Sequence, residues 1–214
     1  MSGIPVDELG PPNSGVGGRP RKPAVDPERR AEVARQLGLD DNDENRWAIE
    51  LDLSLRDERW LAGGPTPGIT YAPGAEESKR RKGNPKLFTK EHEVERETVG
   101  LSAAMGYASE FQKDEIPNPD PEDAKRRPRI GLPDLSSGME VKTLRNASSY
   151  NTVARHASSS KSKGAMSTMM SFYGNESLTA SKIDEYVEKA MTAKRLRHVV
   201  VIYPDGTHSI KVKK

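Results

Sequence analysis

The chain holds 214 residues, of which 33% are hydrophobic and 5% aromatic, with 18 glycines, 16 prolines and no cysteine. No disulfide framework or thiolate metal site is available, and no apolar run is long enough to span a membrane. The net charge of +2 hides an asymmetry, because residues 125–214 carry 17 Lys and Arg against 7 Asp and Glu. The apolar content is too low for a core over the whole length, so part of the chain is expected to be flexible.

Residues 1–22 are rich in Gly, Pro and small polar residues and read as a disordered leader. Asp26-Pro27-Glu28 opens a helix, with Val33, Ala34 and Leu37 on one face and Gly38 ending it. Trp47, Ile49, Leu51, Leu53 and Leu55 alternate with polar residues and predict an amphipathic strand. A second short element is expected at Ile69-Thr70-Tyr71. Residues 72–85 look like a linker that carries Lys79-Arg80-Arg81-Lys82. Residues 23–83 therefore read as an accessory segment and linker, and residues 84–214 as the main domain.

From Thr89 to Met105 the pattern is helical, with Val94, Leu101 and Met105 near one stripe and Gly106-Tyr107 closing it. Residues 113–129 form a proline-rich loop that delivers Arg126-Arg127-Pro128-Arg129 to the next element. Two apolar runs then flank Ser136-Ser137-Gly138, which predicts a β-hairpin over residues 130–144. Residues 157–178 read as a Ser/Met-rich insertion in which Met166, Met169, Met170 and Phe172 fill core. Ser181 is the expected cap of a helix bearing Ile183, Val187, Ala190 and Met191. Arg197 to Tyr203 predicts a buried central strand, and His208 to Lys213 an outer hairpin strand after Pro204-Asp205-Gly206-Thr207.

The chemistry gathers on the predicted hairpin. Glu140 and Lys142 are two apart and share one strand face, while Asp134 starts the facing strand. Carboxylate oxygens are what a hard divalent ion selects, and a lysine beside them can hold a phosphate or an attacking water. The basic balance of the same region favours a polyanion.

Pro133-Asp134 followed by Glu140-Val141-Lys142 resembles the signature of the PD-(D/E)xK nuclease superfamily, over roughly the last 130 residues. Glu140-Val141-Lys142, Arg145-Asn146, the basic helix from Lys182 to Lys194 and the run Val199 to Ile202 are similar to the C-terminal tRNase domains of contact-dependent growth-inhibition toxins. The resemblance implies an α+β fold with a restriction-endonuclease-like mixed sheet flanked by helices. It implies Mg²⁺ held by Asp134, Glu140 and the Val141 carbonyl, with Lys142 handling water. It also implies a glutamate on the preceding helix, Glu97 by position or Glu93 one turn earlier. Arg145, Asn146, Arg155, Lys161 and Lys163 are the expected contacts to tRNA or DNA. An immunity protein is the further partner implied. With no N-terminal secretory pattern, the expected location is the cytoplasm, or a target cell's cytoplasm for a delivered toxin.

Three alternatives stay open at this point. One is a DNA endonuclease of the same superfamily. Another is a metal-independent RNase using His156, since histidine can act as a base near neutral pH. The third is a non-enzymatic basic binding or phage-structural protein. His198 and His208 flank a strand and read as structural or exposed.

Overall fold

The computed structural model describes residues 24–213, so the predicted leader lies outside the described residues. In chain order the elements begin with α1 (Pro27–Leu37), α2 (Arg46–Leu53), α3 (Glu58–Leu61), β1 (Thr70–Tyr71), α4 (Ala75–Ser78), β2 (Arg80–Arg81) and β3 (Asn84–Phe88). They continue with α5 (Lys90–Ala104), β4 (Glu110–Phe111), β5 (Glu115–Pro117), a 3₁₀ turn at Asp123–Lys125, β6 (Arg129–Gly131) and β7 (Met139–Thr143). The last are α6 (Tyr150–Ser162), β8 (Ser167–Ser171), α7 (Ala180–Lys194), β9 (His198–Ile202) and β10 (His208–Val212). The fold is α+β. Among the described residues no helix is long and apolar enough to cross a membrane.

A four-stranded sheet in the order β10-β9-β8-β7 is the centre. β7, β8 and β9 run parallel, joined through α6 and α7, and β10 returns antiparallel beside β9. Alternation along β9 divides its side chains between two cores. Val199 and Val201 join Val153, Ala157, Ile183, Val187 and Ala190 under α6 and α7. Val200 and Ile202 point the other way, into a cluster with Met139, Val141 and Met169 of the sheet, Val33 of α1, Ile49 of α2 and Val99 of α5.

That second cluster changes the expected division at residue 84. α1, α2 and α3 supply Val33, Leu37, Ile49, Leu53, Trp60 and Leu61 to the same core that covers the sheet. The segment from 26 to 61 is one wall of the molecule, not an appendage. α1 forms as its sequence predicts: Asp26 Oδ1 accepts from the Glu28 amide at 2.7 Å, and Gly38 closes the helix at φ +66°.

α2 corrects the expected strand. Its buried residues are Ala48, Ile49, Asp52 and Leu53, the one-face spacing of a helix. The apolar alternation masked this because Asp52, fully buried, is part of the buried face. The expected 157–178 insertion is likewise the end of α6 followed by β8, an inner strand buried at every position. Met169, Met170 and Phe172 are core, but Met166 is 50% exposed. The cap of α7 is Thr179 rather than Ser181, with Oγ1 accepting from the Lys182 amide at 3.3 Å.

The predicted hairpin is only partly formed. β6 pairs antiparallel with β5, which lies in the expected loop, and the partner of β7 is β8. The turn survives: the Leu135 amide donates to the Met139 carbonyl at 3.0 Å, with Gly138 at φ +86°. A side chain at Gly138 would be strained by that φ and would press on Met166.

Candidate active site at the free edge of the sheet

β7 is an edge strand of the sheet, and Asp134 sits against its outer side. The Val141 amide donates to Asp134 Oδ2 at 2.8 Å, so a side chain satisfies a backbone group that an edge would otherwise expose. By strand stereochemistry the Val141 carbonyl faces the same edge. Gln112 fixes the approach, its Nε2 donating to the carbonyls of Pro133 at 2.8 Å and Leu135 at 3.1 Å.

Alternation along β7 sends Met139 and Val141 into the core and Glu140 and Lys142 to the opposite face. Glu140 is fully buried, and its Oε1 pairs with the Lys142 ammonium. Lys163, the residue after α6, brings its Nζ to 2.8 Å from Glu140 Oε1 and 3.3 Å from Asp134 Oδ1. The structure thus unites Asp134, Glu140, Lys142 and Lys163. The expected phosphate contact Lys163 instead pairs with both acids. Lys161, also expected at the substrate, is exposed and makes no ion pair among the described residues.

Two carboxylates and two ammonium groups give a charge-balanced quartet. Burial, and then the Glu140 charge, push Asp134 up to about 6. Burial alone would lower Lys163, but Asp134 and Glu140 outweigh it and hold the ammonium protonated. Glu140 Oε2 is buried with no hydrogen-bond partner. An orphaned carboxylate oxygen is costly unless a further group completes it.

The donor set suits a hard cation in kind. Mg²⁺ commonly takes one or two carboxylates and completes its shell with water and phosphate oxygens. Asp134, Glu140 and the Val141 carbonyl are the groups that could hold it. Among the described residues no three acidic or imidazole side chains converge, so any such site rests on two carboxylates.

Beyond Lys142 a groove of about 760 Å³ opens between α5 and α6, at the C-terminal end of β7. Arg145, Asn146 and Arg155 line it, together with His156 and, from α5, Glu91 and Glu95. The His156 imidazole is held below its ordinary range, first by burial and then by the Lys142 and Arg155 charges.

Glu97 does not face the acids. It is 46% exposed and accepts from Arg145 Nη2 at 2.9 Å, while Glu93 is 53% exposed near Arg81. Of the two α5 acids in the groove wall, Glu91 and Glu95, Glu95 is the one held by buried partners. Its Oε2 lies 3.2 Å from His92 Nδ1 and 3.8 Å from Lys79 Nζ. His92 is buried and its Nε2 is 2.8 Å from the Tyr71 hydroxyl. The signal for Glu95 was present in the sequence: His92, Glu95, Val99 and Ser102 fall on one helical stripe. Lys79, in the expected linker, is buried and pairs with Asp114.

A second polar cluster has the residue types of a nucleophile relay. Ser167 Oγ is 2.6 Å from His198 Nδ1, and His198 Nε2 is 2.9 Å from Asp52 Oδ2. All three are at most 2% exposed, so no substrate reaches the hydroxyl. Asp52 also accepts from Arg56 Nε and from the Tyr107 hydroxyl, each at 2.6 Å. This cluster ties α2 to the sheet. His208 is exposed.

No family model, no curated protein and no solved structure matches this chain.

Proposed function

We propose that the protein is a metal-dependent nuclease that hydrolyses phosphodiester bonds, of the toxin-type RNase kind that its sequence resembles. The observation that carries this reading is the buried Asp134–Glu140 pair at the sheet edge, with an orphaned carboxylate oxygen and Lys142 leading into a groove lined by Arg145 and Arg155. Asp134, Glu140 and the Val141 carbonyl would hold the ion. When bound, it supplies Lewis-acid stabilisation of the charge that develops on the phosphoryl oxygens. Lys142 reaches from Glu140 toward the groove, where its ammonium can orient a phosphate oxygen or an incoming water. Arg145 and Arg155 hold flanking phosphates as electrostatic contacts. Glu95, steadied by His92 and Lys79, places a carboxylate in the groove wall where it can accept a proton.

The direct test incubates purified protein with tRNA and with supercoiled plasmid, each with Mg²⁺ or with EDTA. Cleavage of either substrate that EDTA abolishes is the expected result. Cleavage indifferent to EDTA would transfer the chemistry to His156. No cleavage of either would reduce the quartet to an ion cluster.

Two substitution sets probe the finer assignments. Glu97→Gln should leave cleavage within about threefold and stability within about 0.5 kcal/mol, because an exposed ion pair contributes little. Glu95→Gln should lower the rate about 10²-fold, as removal of a proton acceptor does. Equal losses in single-turnover assays would refute the reassignment from Glu97 to Glu95. Arg145→Ala and Arg155→Ala should each flatten the slope of log K against log[salt] by about 1. An unchanged slope would take that arginine out of the contact surface.

A further inference from the structure

We infer that Lys163 is the resident counter-ion of the Asp134–Glu140 pair and that a divalent ion enters only by displacing its ammonium. The inference deepens the nuclease reading, since it concerns how the same site is loaded. Its basis is position. Lys163 Nζ lies between the two carboxylates, 3.3 Å from Asp134 Oδ1 and 2.8 Å from Glu140 Oε1. A bridging cation would need those same oxygens.

Charge gives the same answer. With Lys142 and Lys163 both on the acids, the quartet is neutral, and an added divalent ion would leave two uncompensated positive charges in a buried site. Such charge is strongly disfavoured where water cannot screen it. If one ammonium withdraws, the load falls, and the two lysines differ in which can go. Lys142 is fixed in β7 and among the described residues makes its ion pair with Glu140, with its side chain 15% exposed. Lys163 sits past the last turn of α6, with its side chain 25% exposed. A Cβ added at Gly164, which follows it at φ +69°, would meet open space. A four-carbon stem on such a segment can turn its ammonium out to solvent or to a phosphate.

Loading and substrate binding are then coupled. The ion frees a cation at the mouth of the site, and a nucleic-acid phosphate is the natural acceptor for it. By linkage, substrate that engages the freed lysine tightens the ion in equal measure.

The test measures ion binding, not turnover. EDTA-stripped full-length protein is titrated with Mn²⁺ by calorimetry as wild type, Lys163→Met and Lys163→Arg. Lys163→Met should bind Mn²⁺ at least about tenfold more tightly than wild type, since the competing charge is gone. Lys163→Arg, which keeps the charge, should bind no more tightly than wild type. Thermal melts with and without Mn²⁺ accompany each titration, and the ion should raise the melting temperature of Lys163→Met by more than that of wild type. An unchanged or weaker affinity for Lys163→Met overturns the inference. So does a Lys163→Met protein that stays unfolded with Mn²⁺ present, because the ion should replace the missing charge. Tighter ion binding in a protein that cuts no nucleic acid would sink the nuclease reading alone. Cleavage with unchanged ion affinity would sink the counter-ion role alone.

Discussion

Glu140→Gln is expected to lower the rate of nucleic-acid cleavage by about 10²–10³-fold, the scale on which losing one group that stabilises transition-state charge is felt. Glutamine keeps the size of the side chain but removes the charge that an ion and two lysines share. Its Oε1 can still accept from Lys142 and Lys163, whereas its amide N–H groups would occupy the place of the partnerless Oε2. A buried donor without a partner costs about 1–3 kcal/mol, so the variant should be weaker but folded. Lys142→Ala should lose cleavage on a similar scale for a different reason. Both carboxylates that would hold the ion, Asp134 and Glu140, are unchanged, so ion binding persists while the group that reaches the groove is absent. Binding of nucleic acid should survive both changes, since Arg145 and Arg155 remain. Cleavage at the parental rate by both folded variants would remove this edge of the sheet from the chemistry.

Asp52→Ala is expected to cost about 3–5 kcal/mol of stability, the penalty for leaving one member of a buried ion pair alone. Arg56 is 3% exposed and would lose its carboxylate, and His198 and Tyr107 would lose the same acceptor. The pH dependence has a definite sign. Burial pushes the Asp52 carboxyl up, but Arg56 and His198 outweigh it and bring it from 3.8 down to about 2. An acid with a lowered folded pKa binds fewer protons folded than unfolded, so its contribution is complete above 3.8 and lost as pH falls through about 2. Denaturant midpoints of wild type and Asp52→Asn should draw together as pH falls from 3.8 toward 2. A difference that grows over that acid range would contradict the assignment. A chain starting at Asn84 lacks Asp52 and one wall of the core, and should show no cooperative thermal transition.

Several elements were legible from local pattern. α1, α5, α7, β9 and β10 carry caps, turns or apolar runs whose meaning is set within a few residues. The Asp134, Glu140 and Lys142 constellation was legible because strand alternation and one glycine turn bring the residues together. What escaped depended on partners far along the chain. Asp52 reads as the polar side of a strand until His198, 146 residues away, supplies its hydrogen bond. β8 reads as part of a Ser/Met-rich insertion because Ser167, Thr168 and Ser171 are polar, yet its inner place in the sheet buries all three. Lys163 looked like one more phosphate contact, because nothing local shows that α6 ends over the two acids. Glu97 is the expected acid by its position on the helix, whereas the helix turns Glu95 to the groove and leaves Glu97 on Arg145.

On the proposed reading, the Asp134–Glu140 edge binds a divalent ion and uses it to cut a phosphodiester. The most direct measurement is single-turnover cleavage of tRNA and plasmid by EDTA-stripped protein as Mg²⁺ is added back, with wild type and Glu140→Gln in parallel. Wild type should recover activity with saturable dependence on Mg²⁺, and Glu140→Gln should stay near background at every concentration. Equal recovery in the two proteins, or full wild-type activity before any ion is added, would contradict the account.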